Sequence, residues 1–416
     1  MRHFKKISCL LAMASIALWS ISGFAAEIVI GFSGPLSGPA GEYGLDCVSG
    51  IEMAIKEINA AGGVMADGQK YTFRLEKIDD KASFFLAQAN ARKLLEKNAL
   101  AIFVPVFSSA IPMLKMNQEE CGEFIVMGYT SSHKATKIKN DLFVLFAPLF
   151  LAEAQVFAEQ AWEKGWRKVA MVVTQGAYGD EWRETFKTYW ETLGGAITAD
   201  KPANYYTRTD FVGPLTAAIA SNPDGILIGG PTGTTALVIE QARKMGYKGG
   251  FMIVDQAKMD GIAQLLDGTK LMENSMGVTT MAGIPAPATN TFIKRYQAAY
   301  QRMANTESAL HYSGMHLLAK AIATAETQDN VYAVRAAFPK ALPLLADQHI
   351  LEMHSISNGG LVHVGTGIQQ VKEGKFQKAD VLLWWTNKPE EIANVNKITK
   401  YTAPMKPYKL KISTLD

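Results

Sequence analysis

The chain has 416 residues, 48% of them hydrophobic, which is enough for more than one ordinary domain. Its 42 Lys and Arg stand against 39 Asp and Glu, and three of the basic residues (Arg2, Lys5, Lys6) fall in the leader, so the remainder is near neutral. No basic run stands out, which argues against nucleic acid or an anionic membrane surface as partner.

The first 25 residues read as a secretory signal peptide: a basic n-region, an apolar stretch from Ile7 to Ile21, and the small-x-small site Gly23-Phe24-Ala25. A retained anchor is the alternative, but the run is short for a spanning helix. Cys9 lies at the front of the apolar stretch, not after it, the wrong place for lipid attachment. A soluble, exported product is expected.

Ile28 to Val64 then reads as a strand, a loop rich in Gly, Ser and Pro, and a long amphipathic helix stopped by Gly62-Gly63. Strands follow over Tyr71–Ile78, Leu100–Val104, Phe124–Met127 and Leu142–Phe146, with helices over Phe84–Lys97 and Ser108–Glu120 between them. Alternating strands and helices are the signature of a parallel sheet covered on both faces.

A second series begins with a helix over Leu151–Lys164 and a strand over Val169–Val173. The loop Thr174–Gly179 leads to a helix ending near Leu193 at Gly194-Gly195. Strand, loop with Tyr-Gly, helix, Gly-Gly repeats the opening unit, with Tyr178-Gly179 in the place of Tyr43-Gly44; two unrelated βα units are the alternative. Helices over Phe211–Ala220 and Thr234–Met245 and strands over Gly225–Ile228 and Phe251–Val254 continue the series. Further helices begin at Thr291, His311 and Val331, and late strands are expected at Thr366–Val371 and Val381–Trp385. Thr386–Asp416, with Pro389, Pro404 and Pro407 and little periodicity, reads as an extended tail on the surface.

Two cysteines follow the leader, Cys47 and Cys121. Cys47 near a helix start and Cys121 at a helix end would lie at opposite ends of one layer, beyond disulfide reach, so two unpaired thiols are expected.

Ligands of open α/β sheets sit outside the carboxyl ends of the strands. The candidates there are the Ser33–Tyr43 loop, Phe107-Ser108-Ser109, Tyr129 to Ser132, Tyr178, Pro231-Thr232 and Asp255. Hydroxyls at helix starts suit a carboxylate, with plain helix capping as the alternative. Asp255 follows four apolar residues, where a carboxylate needs a partner: a ligand ammonium, or a helix it caps. No GxSxG, HExxH, CxxC, P-loop or GxGxxG pattern occurs, so neither catalysis nor a cofactor is indicated. His311 and His316 are five apart and share no helix face well, so no metal site is expected.

SGPLSGPAGEYG followed by GIEMAIKEINAAGGV, Ser108-Ser109 after a buried strand, Tyr178-Gly179, Thr209-Asp210-Phe211 and a terminal Asp255 together resemble the type I periplasmic solute-binding proteins of branched-chain amino acid ABC transporters. The resemblance implies an α/β fold of two Rossmann-like lobes joined by several hinge crossings. One lobe would hold residues 27–146 and 277–355, the other 147–276 and 356–385, with 386–416 as tail.

It also implies a periplasmic monomer that binds an amino acid or similar small carboxylate between the lobes and delivers it to a membrane permease, with no cofactor and no enzymatic activity. By that resemblance Ser108 and Ser131 hold the ligand carboxylate, with Ser109 and Thr232 nearby. Tyr129 offers its carbonyl, Asp255 meets the ammonium, and Tyr43 and Tyr178 close the cleft from either side. Tyr129 stands where the family has a small residue, and Asp255 is a methylene shorter than the family's glutamate. A short amide, a urea-like solute or an aromatic acid is therefore the alternative ligand, and a sensory module the alternative role.

Overall fold

The computed structural model describes residues 26–120 and 122–412. The leader and Cys121 lie outside them.

The first layer is a six-stranded sheet in the order β2-β3-β1-β4-β5-β6. Its strands are β1 (Ala26–Gly34), β2 (Val64–Ala66), β3 (Gln69–Asp79), β4 (Ala99–Val104), β5 (Ile125–Gly128) and β6 (Phe143–Leu145). All pairs are parallel except β2 with β3, a short hairpin that the sequence reading missed. Every residue of β4 is buried, as its continuous apolar run requires of a strand covered on both faces. The helices are α1 (Gly41–Ala60), α2 (Phe84–Leu95) and α3 (Phe107–Met116).

The chain then passes through α4 (Leu151–Glu163) into a seven-stranded sheet in the order β15-β14-β11-β10-β9-β7-β8. Its first five strands in chain order are β7 (Lys168–Val173), β8 (Ala196–Asp200), β9 (Gly225–Gly229), β10 (Gly250–Ile253) and β11 (Met276–Val278), all parallel. Between them run α5 (Ala177–Thr192), α6 (Val212–Ala220), α7 (Thr232–Lys244) and the short α8 (Met259–Leu265).

After β11 the chain returns to the first layer. There α9 (Thr289–Tyr300), α10 (Thr306–Ala325) and α11 (Val331–Ala341) join the first-sheet core. Helix α10 lies so close on α1 that a Cβ added to Gly50 would stand 2.2 Å from the Ser308 carbonyl oxygen. Asn305 caps α10 and also donates to Asp46 on α1 at 2.5 Å. The hairpin β12 (Met353–Ile356) with β13 (Val362–Val364) packs on the same core. The chain then crosses again, and β14 (Ile368–Lys372) and β15 (Lys375–Phe376) form the antiparallel edge of the second sheet.

The expectation of an extended tail is corrected. After β16 (Leu382–Leu383), residues Pro389–Ile398 form a helix, α12, before β17 (Lys406–Pro407) pairs with β16. Pro389 stands in the first helical turn, where a missing N–H costs nothing. Tyr401 and Met405 beyond it are buried in the first-sheet core.

The repeat of the opening unit has a physical basis. A Cβ on Gly44 would stand 1.8 Å from the Pro35 carbonyl oxygen, and one on Gly179 1.8 Å from that of Thr174. In both layers the first helix turns back onto the strand that feeds it, and only glycine fits that approach.

Candidate functional site

The carboxyl ends of the two sheets face each other across a cleft. From the first layer come Tyr43 in the first turn of α1, Pro105 and Phe107 after β4, and Tyr129, Thr130 and Ser131 after β5. The second layer contributes Tyr178 at the start of α5, Tyr206, and Asp255 with Gln256 after β10.

The first-layer wall is fixed by neutral contacts. Tyr43 donates its hydroxyl to the Pro105 carbonyl at 2.7 Å. The Tyr129 ring lies 4.6 Å from that of His311 and 5.6 Å from Phe146. His311 sits fully buried behind it, its Nδ1 2.8 Å from the Glu307 carbonyl, and burial pushes its pKa down to about 3, so the imidazole is neutral. The Ser131 hydroxyl, almost wholly buried, finds no partner among the described residues.

The second-layer wall is organised around a carboxylate. Asp255 Oδ1 accepts from the Tyr178 hydroxyl at 2.5 Å and from the Trp182 indole N–H at 2.8 Å. Trp182 is itself held by stacking on Phe150 at 4.5 Å and on Phe157 at 5.7 Å. The Tyr178 hydroxyl also accepts from the Gln256 backbone N–H at 3.3 Å, and Gln256 donates to the Tyr206 hydroxyl at 2.7 Å. The Gln256 side-chain oxygen has no partner among the described residues. Asp255 does not cap a helix with its side chain; its fixed partners are two aromatic donors.

Two buried bridges tie the walls together. Lys258, at the start of α8, pairs with Glu307 of α10 at 3.0 Å and also donates to the Asp255 carbonyl. Burial works against its charge, but Glu307, Asp255 and Glu153 hold its pKa above the usual lysine value. On the other side Glu181 of α5 is fully buried. It accepts from the Ser132 hydroxyl and, at 2.9 Å, from the Lys134 N–H, with His133 Nδ1 2.6 Å away.

Of the eight residues singled out in the sequence, Tyr43, Tyr129, Ser131, Tyr178 and Asp255 meet in this cleft. The structure does not bring the other three there. Ser108 is half-buried in the first turn of α3 and is not among the lining residues. Ser109, one residue on, is turned inward beside Asp80 because neighbours on a helix point about 100° apart. Thr232 accepts the Lys258 backbone N–H at 3.0 Å and faces a neighbouring groove with Glu42, Asp46 and Arg302.

The sequence reading missed Trp182, Tyr206, Gln256, Lys258 and Glu307. Trp182 lies one helical turn after Tyr178, a spacing that could have pointed to it. No local signal links Lys258 with Glu307. Cys47 is buried in the first-sheet core as a free thiol.

The periplasmic binding protein family model matches residues 27–374, most of the chain. An amino acid binding protein of Pseudomonas aeruginosa is 25% identical over 64% of this chain and 70% of its own length. A Leu/Ile/Val-binding protein homologue of Brucella melitensis is 26% identical over 80% of this chain and 85% of its own. Among solved structures, the branched-chain amino acid binding protein LivJ of Streptococcus pneumoniae, in complex with isoleucine, superposes with a TM-score of 0.72 at 21% identity, over 85% of this chain and 99% of that one. A solute-binding protein of an ABC transporter from R. palustris, in complex with benzoate, gives 0.71 at 16% identity, over 85% and 95%. With two facing α/β layers, a cleft between their strand ends and a family match along most of its length, this chain belongs to the type I periplasmic binding proteins.

Proposed function

We propose that this protein captures an amino acid, or a similar small carboxylate, in the interlobe cleft and presents it to the permease of an ABC importer. One observation carries the reading: an unpartnered, buried hydroxyl on Ser131 lines the same cleft as a carboxylate on Asp255 that two aromatic donors hold in place. Buried polar atoms without partners are rare in folded proteins and mark positions completed by something else. The solute carboxylate goes to Ser131 and its ammonium to Asp255, with Tyr43, Tyr129 and Tyr178 enclosing the chain between. Contacts from both layers favour the closed arrangement, and a permease reads that arrangement.

A second reading, an aromatic acid, is favoured by the aromatic lining of Tyr43, Phe107, Tyr129, Tyr178 and Tyr206. It leaves Asp255 without a cation. A thermal-shift panel of branched-chain and aromatic amino acids, short amides, urea and benzoate separates the two. A true ligand at a thousand times its Kd stabilises by about 4 kcal/mol. Stabilisation by amino acids supports the first reading, and stabilisation by benzoate alone replaces it with the second.

A further inference from the structure

Behind the cleft lies a second chamber, which shares Tyr129, Ala147 and Asp255 with it. It is framed where the chain passes between the layers, at Ala147-Pro148, Val278-Thr279 and Gly365–Gly367. Its walls are mostly apolar, with Ile284, Leu310, Leu351 and Val381 among them. Into this apolar space project polar atoms with no partner among the described residues: Glu153 Oε2, Thr279 Oγ1 and Thr306 Oγ1. Glu153 is fully buried and the two threonines are each 6% exposed.

Glu153 is held at one oxygen only. Thr366 donates to its Oε1 at 2.5 Å, which fixes the carboxyl and leaves Oε2 without a partner among the described residues. No cation among the described residues hydrogen-bonds Oε2. Lys258, the lysine lining the chamber, is engaged by Glu307 and the Asp255 carbonyl. Burial and the nearby Asp255 raise the Glu153 pKa well above the carboxylate range, with Thr366 and Lys258 opposing the shift, so the carboxyl keeps its proton in the empty chamber and a solute donor at Oε2 would draw it back toward the ionised, accepting form. A buried acceptor without a donor is costly, and nothing in an apolar chamber requires a glutamate for packing.

We propose that this chamber is a second subsite of the cleft, which takes the far end of the solute and reads a hydrogen-bond donor there through Glu153. The inference rests on the cleft being the solute site. It narrows the solute class to small carboxylates whose chain ends in a hydroxyl, an amide or an ammonium, in preference to a purely aliphatic side chain. Asp255 stands between the two chambers, so the α-ammonium and the tail donor are read from its two sides. The chamber volume of about 40 Å³ admits an end group of two or three heavy atoms.

The test is calorimetric titration of the full-length mature protein with four amino acids of matched chain length: norvaline, 5-hydroxynorvaline, glutamine and ornithine. Leucine and benzoate serve as controls for the cleft itself. The expected result is a donor-tipped ligand binding about tenfold or more tighter than norvaline, because a site built for a donor rejects an analogue lacking it. Glu153→Leu is expected to abolish that preference. Glu153→Gln, which keeps an acceptor oxygen, is expected to retain it for the hydroxyl or amide and lose it for ornithine.

Thr279→Val provides a variant that leaves the Glu153–Thr366 contact in place, and the donor preference should fall there as well. Equal affinity across the four ligands, a preference for norvaline, or a donor preference that survives in Glu153→Leu overturns the subsite. Leucine or benzoate binding alongside such a result leaves the cleft reading standing. No binding by any of the six overturns the cleft reading and the subsite with it.

Discussion

The first-layer wall of the cleft presents Tyr43, Tyr129 and Ser131, all neutral, backed by a histidine that burial keeps uncharged. The second-layer wall presents a carboxylate, Asp255, already oriented by Tyr178 and Trp182. One wall is a shaped surface with an open hydroxyl; the other is a fixed charge with its geometry set before any solute arrives. Such a division lets the charged side supply selection by electrostatics and the neutral side supply fit, since preorganised partners lose little entropy on binding. The Lys258–Glu307 pair is where charge crosses from one side to the other.

Breaking that crossing should have the largest effect. Lys258→Met leaves Glu307 buried without its cation, and a loss of about 3–5 kcal/mol in unfolding stability is expected by calorimetry. Lys258→Met combined with Glu307→Leu should recover most of it. A single variant as stable as the parent would show that the pair does not hold the walls together.

Asp255→Ala removes the fixed charge and should weaken α-amino acid binding by about a hundredfold or more, while sparing an aromatic acid without an ammonium. Unchanged amino acid affinity would remove Asp255 from the site.

The neutral wall is probed through His311. Its folded pKa of about 3 lies below the unfolded value, so the unfolded chain binds a proton that the folded chain does not. Stability from the neutral imidazole is fully present above about pH 6.5 and is lost as pH falls toward 3. Between pH 7 and 5 the parent should therefore lose about 2 kcal/mol more than His311→Phe, read from denaturant midpoints at each pH. Parallel curves for the two proteins would contradict a buried neutral histidine.

The smallest change is expected for Tyr178→Phe. It deletes one of the two donors to Asp255 while Trp182 remains, so amino acid affinity should fall by about tenfold, well short of Asp255→Ala. Losses of equal size would mean that Tyr178 contacts the solute more than it orients Asp255.

How much of this was legible in the chain depended on whether the physics was local. Continuous apolar runs marked β4, β7 and β10, and the Tyr-Gly dipeptides marked both helix starts because glycine alone tolerates the carbonyl beneath it. Asp255 stood out as a charge at the end of an apolar strand. Ser109 and Thr232 were named because hydroxyls at helix starts look alike in sequence, whereas the helix phase turns Ser109 to Asp80 and the start of α8 engages Thr232. Glu153 and Glu307 sit in ordinary helical sequence. What makes them unusual is the space around them, assembled from segments hundreds of residues apart, which no periodicity records. The helix over Pro389–Ile398 was hidden in a proline-bearing stretch of little periodicity, although its proline stands at a helix start.

The seating of α10 on α1 also imposes a timetable. Asn305 reaches back to Asp46 across 259 positions of the chain, so the face of the first sheet that α1 covers stays unfinished until synthesis has passed α10. Contacts of such sequence separation form slowly, because a long loop must close before they return any free energy. The face of the first sheet is therefore closed by contacts among the longest-range in the chain, and its completion depends on segments made late in synthesis.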